Sequence, residues 1–175
     1  MQKIIIVGAG QNGYQAYNIL KLSRVEVVGF LDDNAVMHGA RVCGRPVLGA
    51  SSLVSKLLHE GAIDGAIVAI GNNRVRRDQT MKIRQAGIPL IKAIHPHTYI
   101  DDTAHVGDGA IIEMGVMIHP EARIGEGVFL GGSSVVAHHC TVGDYTLLGG
   151  GVIFGGGVTV GSFCTLGVGT VLQPH

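Results

Sequence analysis

His138 and His139 stand together in Ala137-His138-His139-Cys140, a polar step in a run of otherwise aliphatic and small residues. An imidazole titrates near pH ~6.5, so a histidine can take a proton from an attacking amine or hydroxyl in neutral water. Together with His119, the pair could instead ligate zinc, which needs three nitrogens converging on one point. Adjacent side chains on a turn are expected to diverge, so acid–base chemistry is the better reading and no metal is expected. Cys140 and Cys164 read as small core residues. Three cysteines with no paired spacing fit reduced thiols in a cytoplasmic protein.

A second group opens the chain. Gly8, Gly10 and Gly13 form G-x-G-x-x-G directly after KIIIV, with Gln11 and Asn12 inside the loop and Asp32-Asp33 closing the next apolar run. Such glycines let a diphosphate approach the N-terminus of a helix, and the following carboxylate takes ribose hydroxyls. Packing of helix on strand would need the same glycines without any ligand. Gly71-Asn72 ends a third apolar run on the side where such sheets bind ligands, and Arg74, Arg76 and Arg77 follow it. A solvated helix face is the expected place for these arginines, with a phosphate contact as the alternative.

What positions the histidines is a period. From Ile94 an aliphatic residue or Phe recurs every six residues, through Ile100, Val106, Ile112 and so on to Leu166 and Leu172. Four residues after each comes a small or short side chain, such as Ala104, Ala110, Ser134 or Cys140. A hexad of this kind is one short strand and a turn. Three make a triangular coil of about 18 residues, and coils stack by parallel pairing at ~4.8 Å. This is the signature of a left-handed parallel β-helix, an exception to right-handed crossovers. Residues one coil apart stack, so His138 shares a column with Asp102, Pro120, Gly156 and Pro174, while His139 lies between Glu121 and Gly157. Both histidines fall at a corner and not at the inward aliphatic position.

Residues 1–93 read differently. Strands at KIIIVG, VEVVGFL, 65–70 and 89–93 alternate with helices, the first leading out of the 8–13 turn and running to about Leu22, the others near 52–59 and 75–86, which makes a small Rossmann-like parallel sheet. The fold class is therefore α/β followed by all-β, with domains 1–93 and 94–175. Only one mononucleotide-binding half is present, so a nucleotide-sugar suits this domain better than a dinucleotide. His95 and His97 mark the junction turn. Thirteen basic and thirteen acidic side chains cancel, which gives no field for nucleic acid or an anionic membrane. No stretch approaches a membrane span or a signal peptide. The 28 glycines fit a fold with many tight turns.

The order GAGxxG, FLDD, VCGRPVLG, VAIGNN, IHP and then hexads resembles bacterial hexapeptide-repeat sugar acetyltransferases over the whole chain. These include the sialic acid O-acetyltransferases and the UDP-4-amino-sugar N-acetyltransferases of bacillosamine and perosamine pathways. The resemblance implies acetyl transfer from acetyl-CoA to an amino or hydroxyl group of a nucleotide-linked sugar, in a homotrimer with CoA between neighbouring β-helices. It implies that Gly8, Gly10, Gln11, Asn12, Gly13, Asp32, Asp33, Gly71 and Asn72 hold the nucleotide-sugar. Aligned on Cys140, His138 falls on the family's general base and His139 on its acidic partner. Stacking offers the Gly156 N–H for the developing oxyanion, with glycine there leaving room for the pantetheine arm. Gly149, Gly150, Gly151, Gly155 and Gly157 would leave a groove for CoA.

Four departures stand out. His139 is not a carboxylate, although Glu121 could supply charge through it. Leu147 replaces a second histidine, and Gln11-Asn12 replaces a Gly-His pair. A closing Pro-Gly and Pro-Ala-Lys tail has no counterpart before His175. His139, Leu147 and the missing tail motivate an alternative function, a catalytically weak accessory or sugar-nucleotide-binding protein of a surface-glycan pathway. A trimeric zinc carbonic anhydrase also resembles the second half and would be the metal alternative.

Overall fold

The computed structural model describes residues 1–174; His175, where the resemblance expects the tail, lies outside the described residues. The chain divides into two compact units, Met1–Ala93 and Ile94–His175.

The first unit is built on β1 (Gln2–Val7), whose Ile4, Ile5, Ile6 and Val7 are all buried because both faces of the strand are covered. It pairs in parallel with β2 (Val25–Leu31) on one side and β5 (Gly65–Val68) on the other. The segment 41–49, left without an assignment by the sequence, forms a hairpin of β3 (Arg41–Val42) and β4 (Arg45–Gly49), and β4 adds in parallel to β2. The sheet order is β3-β4-β2-β1-β5. Three helices pack on it: α1 (Gln11–Leu20), α2 (Val54–His59) and α3 (Asn73–Gln85). The strand expected over 89–93 is reduced to a single parallel bridge, Leu90 to Ala66. Pro89 donates no backbone hydrogen bond, and its carbonyl instead takes the Ala66 N–H.

The second unit is the stack of coils that the hexads specify. Two-residue strands run from β6 (Ala93–Ile94), β7 (Tyr99–Ile100) and β8 (His105–Val106) through β13 (Val135–Val136), β14 (Thr141–Val142) and β16 (Ile153–Phe154) to β19 (Val171–Leu172). They form three parallel sheets in which each strand pairs with the one eighteen residues on, as in Tyr99↔Met117↔Val135↔Ile153↔Val171. The second residue of each strand points inward, and Ile112, Ile118, Leu130, Val136, Leu148 and Phe154 are buried. The small residues fill the corners, where polar ones are satisfied by turn carbonyls. The Ser134 hydroxyl donates to Gly131 O, the Thr146 hydroxyl to Gly161 O and the Cys140 thiol to Gly155 O. Cys164, expected in the core, is only half-buried.

Every corner from Gly109 to Gly169 carries one residue with positive φ, always three after the inward aliphatic: Gly109, Gly115, Glu121, Gly127, Ser133, His139, Tyr145, Gly151, Gly157, Phe163 and Gly169. This regular left-handed residue lets a coil turn its corner within two residues, and it explains part of the glycine excess. Its cost can be isolated at Gly151, where φ is +67° and a Cβ would meet nothing within 4 Å. Gly151→Ala is expected to lower the stability of this unit by about 1 kcal/mol, and Gly151→Asn by clearly less, since Asn tolerates that backbone region. Chemical denaturation of the two variants checks the order.

Candidate active site

His138 and His139 occupy the corner between β13 and β14, and both are exposed. Contrary to the sequence expectation, their side chains converge. His138 Nδ1 and His139 Nδ1 are 3.0 Å apart, with ring planes at 87°. The reason is backbone: φ of +60° at His139 turns its side chain back over its neighbour. His139 Nε2 in turn lies 3.3 Å from Glu121 Oε2 of the preceding coil. Glu121 also has positive φ (+58°), so the two stack along the corner edge.

On the other side, the His138 ring lies against Gly156 of the following coil. A Cβ at Gly156 would come within 2.5 Å of His138 Cε1 and 2.6 Å of Nε2. The space that glycine leaves is thus filled by the imidazole itself, which corrects the expectation that it is kept open for a pantetheine arm. Main-chain stacking fixes the pair, since the Gly157 N–H donates to His138 O at 2.9 Å and the His139 N–H to Pro120 O at 3.0 Å. Among the described residues the Gly156 N–H has no acceptor. Burial pushes the Cys140 thiol above its ordinary pKa, which leaves it a core thiol and not a nucleophile.

The other histidines are elsewhere. His119, in the neighbouring column, packs edge-on against Tyr99. His95 Nδ1 accepts the His97 N–H, which closes the turn expected at those residues. Among the described residues no group of three or more His, Cys, Asp or Glu is arranged to hold a metal ion. The five glycines expected along the coenzyme fall into separate structural classes. At Gly149 and Gly155 a Cβ would strike the next coil, at Val168 N (2.8 Å) and Pro174 Cδ (2.4 Å) respectively. Gly151 and Gly157 are left-handed corners, and Gly150 faces Gly132 O.

In the first unit, a cavity of about 360 Å³ is lined by Gly8, Gly10, Gln11, Asn12, Asp32, Ala69, Ile70 and Gly71. Six of the nine residues expected to hold a nucleotide-sugar therefore meet around one space. Asp33 lies beside it, in a smaller cavity of about 210 Å³ with Val75 and Gln79. Gly13 and Asn72 line neither cavity and serve the fold. A Cβ at Gly13 would sit 2.0 Å from Gly8 O, so this glycine permits close helix–strand packing. Asn72 caps α3, its side-chain oxygen accepting the N–H groups of Arg74 and Val75. Asp32 Oδ2 accepts the Ala9 N–H at 2.8 Å and so ties the glycine loop to the end of β2. The Asn12 Nδ2 group is buried without a hydrogen-bond partner and points at the side of the cavity closed by Gly71.

Arg76 was expected on a solvated face but is 1% exposed. Its Nη1 donates to Ile70 O at 2.7 Å and Gly71 O at 3.3 Å, and its Nη2 to Asn73 Oδ1 at 2.9 Å. It clamps the loop that closes the cavity. No sequence signal separates it from Arg74 and Arg77, because three arginines within four residues can place only some on the apolar side of a helix.

Asp33 accepts the Ser51 N–H at 2.8 Å and the Gln79 amide at 2.8 Å. These bonds, the Ser51 backbone first, hold its carboxyl below the ordinary carboxylate pKa. A depressed folded-state pKa stabilises the fold above the unfolded value, and that contribution is lost as pH falls through the folded value. Asp33→Asn is therefore expected to flatten the acid limb of the stability–pH curve below pH ~4 and change little near neutrality beyond about 1 kcal/mol. Denaturant midpoints measured across that range decide it.

A parallel β-helix of hexads behind a Rossmann-like domain defines a class of transferase fold, and comparison with known proteins agrees. The PglD N-terminal domain family matches residues 3–83, and the family of bacterial transferase hexapeptides (six repeats) matches residues 121–156. No curated protein matches by sequence. A histidine-to-alanine variant of GDP-perosamine N-acetyltransferase from Caulobacter crescentus, solved with CoA and GDP-perosamine, is 27% identical with a TM-score of 0.80, over 98% of this chain and 89% of that one. The acetyltransferase domain of PglB from Neisseria gonorrhoeae is 26% identical with a TM-score of 0.82, over 99% and 94%. WeeI from Acinetobacter baumannii, at 19% identity and a TM-score of 0.72 over 99% and 97%, shares the fold. The chain thus joins a PglD N-terminal domain to bacterial transferase hexapeptide repeats and is similar over nearly its whole length to known sugar acetyltransferases.

Proposed function

We propose that this protein transfers the acetyl group of acetyl-CoA to an amino or hydroxyl group of a nucleotide-linked sugar, with His138 as general base. One observation carries the reading: the His138 imidazole lies directly against Gly156, whose N–H has no acceptor among the described residues. In this reading a proton acceptor and a hydrogen-bond donor would serve the same corner. The complex of the 27%-identical Caulobacter enzyme with CoA and GDP-perosamine supports both substrate classes.

Acetyl-CoA, when bound, supplies an activated acyl thioester. His138 takes the proton of the attacking amine or hydroxyl, and the Gly156 N–H donates to the carbonyl oxygen on which negative charge develops. The new C–N or C–O bond replaces the C–S bond, and the proton leaves with the CoA thiol. In the first unit, the Gly8–Gly13 loop with Gln11, Asn12, Asp32 and Gly71 is the proposed holder of the nucleotide. The uncapped start of α1 presents N–H groups to a diphosphate there, and Asp32 suits ribose hydroxyls.

We also propose a homotrimer in the cytoplasm. The sheet containing β7, β10 (Met117–Ile118), β13, β16 and β19 turns Tyr99, Met117, Ile153 and Val171 outward, an apolar ladder that a second copy would cover. Light scattering tests the trimer. The activity is tested by CoA release with a panel of UDP- and GDP-amino-sugars and sialic acids. Turnover on one of them is expected, whereas binding without turnover on any would make this an accessory protein.

A further inference from the structure

From the chain His138–His139–Glu121 we infer that His139 and Glu121 are positioning residues, a histidine–carboxylate relay that fixes the proton of His138 so that its Nε2 is the free base. The inference rests on the reading of His138 as base and names the device that orients it.

The argument is one of proton counting. Two imidazole Nδ1 atoms 3.0 Å apart share a single proton, so one ring donates and the other accepts. His139 Nε2 faces the Glu121 carboxylate at 3.3 Å. A carboxylate only accepts, so it favours the His139 tautomer with hydrogen on Nε2. His139 Nδ1 is then a lone pair, and the shared proton belongs to His138 Nδ1. That leaves the His138 lone pair on Nε2, the atom beside Gly156. Reversing the tautomer of His139 would put the lone pair on the buried side of the pair and a proton where the base is needed.

The same chain handles charge after proton transfer. When His138 Nε2 takes a proton, the Nδ1 proton can move to His139 Nδ1, and the positive charge then lies next to Glu121. No bond other than N–H is made or broken in that step. Among the described residues, the groups recorded against the pair are Glu121 from the preceding coil and uncharged Gly156 and Gly157 from the following one. As an exposed contact, His139–Glu121 adds little to stability. Choosing between two tautomers needs little energy, and a wrong tautomer is costly to a general base.

The test uses the whole 175-residue chain. Glu121→Asn suits the left-handed backbone at that site but cannot reach His139, and it is expected to lower kcat about 5- to 10-fold. His139→Asp places a carboxylate directly beside His138 and should retain activity within about 3-fold of the parent. In that background Glu121→Asn should have no effect. Nitrogen NMR of the histidines, in the protein without substrates, gives a readout independent of turnover: Nδ1–H on His138 and Nε2–H on His139, with the preference lost in Glu121→Asn. Equal losses from Glu121→Asn with and without His139→Asp would overturn the relay, as would tautomers unmoved by Glu121→Asn. Coupled tautomers in a protein whose His138→Ala variant keeps full activity would instead overturn the base reading and leave the coupling standing.

Discussion

His138→Ala is expected to lower kcat by about 10²- to 10³-fold while leaving folding and nucleotide-sugar binding unchanged. The size follows from its role: without a proton acceptor beside the reacting amine or hydroxyl, the nucleophile must lose its proton to water. Stability should not move, because the side chain is exposed and its removal opens no cavity. Binding should not move either, because the cavity proposed for the nucleotide is formed by residues of the first unit. Gly156→Ala gives a second approach to the same point. Its new Cβ would overlap the imidazole, so the ring must swing away, and kcat should fall by a comparable factor with His138 still present. Single-turnover kinetics on both variants, with binding measured by calorimetry, separate these effects. Unchanged rates in both would reject the base. A raised Kd for the sugar nucleotide with unchanged kcat would move His138 from chemistry to recognition.

The β-helix was legible because a six-residue period writes its geometry directly. Each aliphatic residue from Ile112 to Phe154 found in register is one inward strand position, and a slip by one would have turned the whole set outward. The stacking of His138 on Gly156 followed from the same arithmetic. The convergence of His138 and His139 did not, because it depends on the sign of one backbone angle at His139. Positive φ at a histidine is uncommon and has no sequence mark, although glycines at the equivalent positions Gly127, Gly151 and Gly157 carry the hint. In the first unit, alternating apolar runs and the glycine loop were readable, while the hairpin at 41–49 has only a two-residue and a five-residue strand around Cys43-Gly44 to announce it. Pro89 and Gly87 cut short the expected strand at 89–93. Arg76 was the hardest to see. Composition rules put arginine outside, and they fail where backbone carbonyls at a loop need a multivalent donor.

That failure leads to the largest stability effect expected in the first unit. Arg76→Ala should destabilise it by about 3–5 kcal/mol, because it empties a volume enclosed by the core and strips donors from Ile70 O, Gly71 O and Asn73 Oδ1. A domain of this size has a total stability of only about 5–14 kcal/mol, so the variant should melt lower by roughly 15–30 °C. Arg76→Lys should recover less than half, since a single ammonium cannot span both carbonyls and the Asn73 amide as the guanidinium fork does. The two units can be followed apart. The described α-helices, α1, α2 and α3, all lie in the first, so the helical circular dichroism signal reports it alone. That signal should be lost early while the parallel coils persist. A shift under about 1 kcal/mol would mean that water replaces the guanidinium at no cost, and the clamp on the 70–71 loop would then have to come from the Asn72 cap alone.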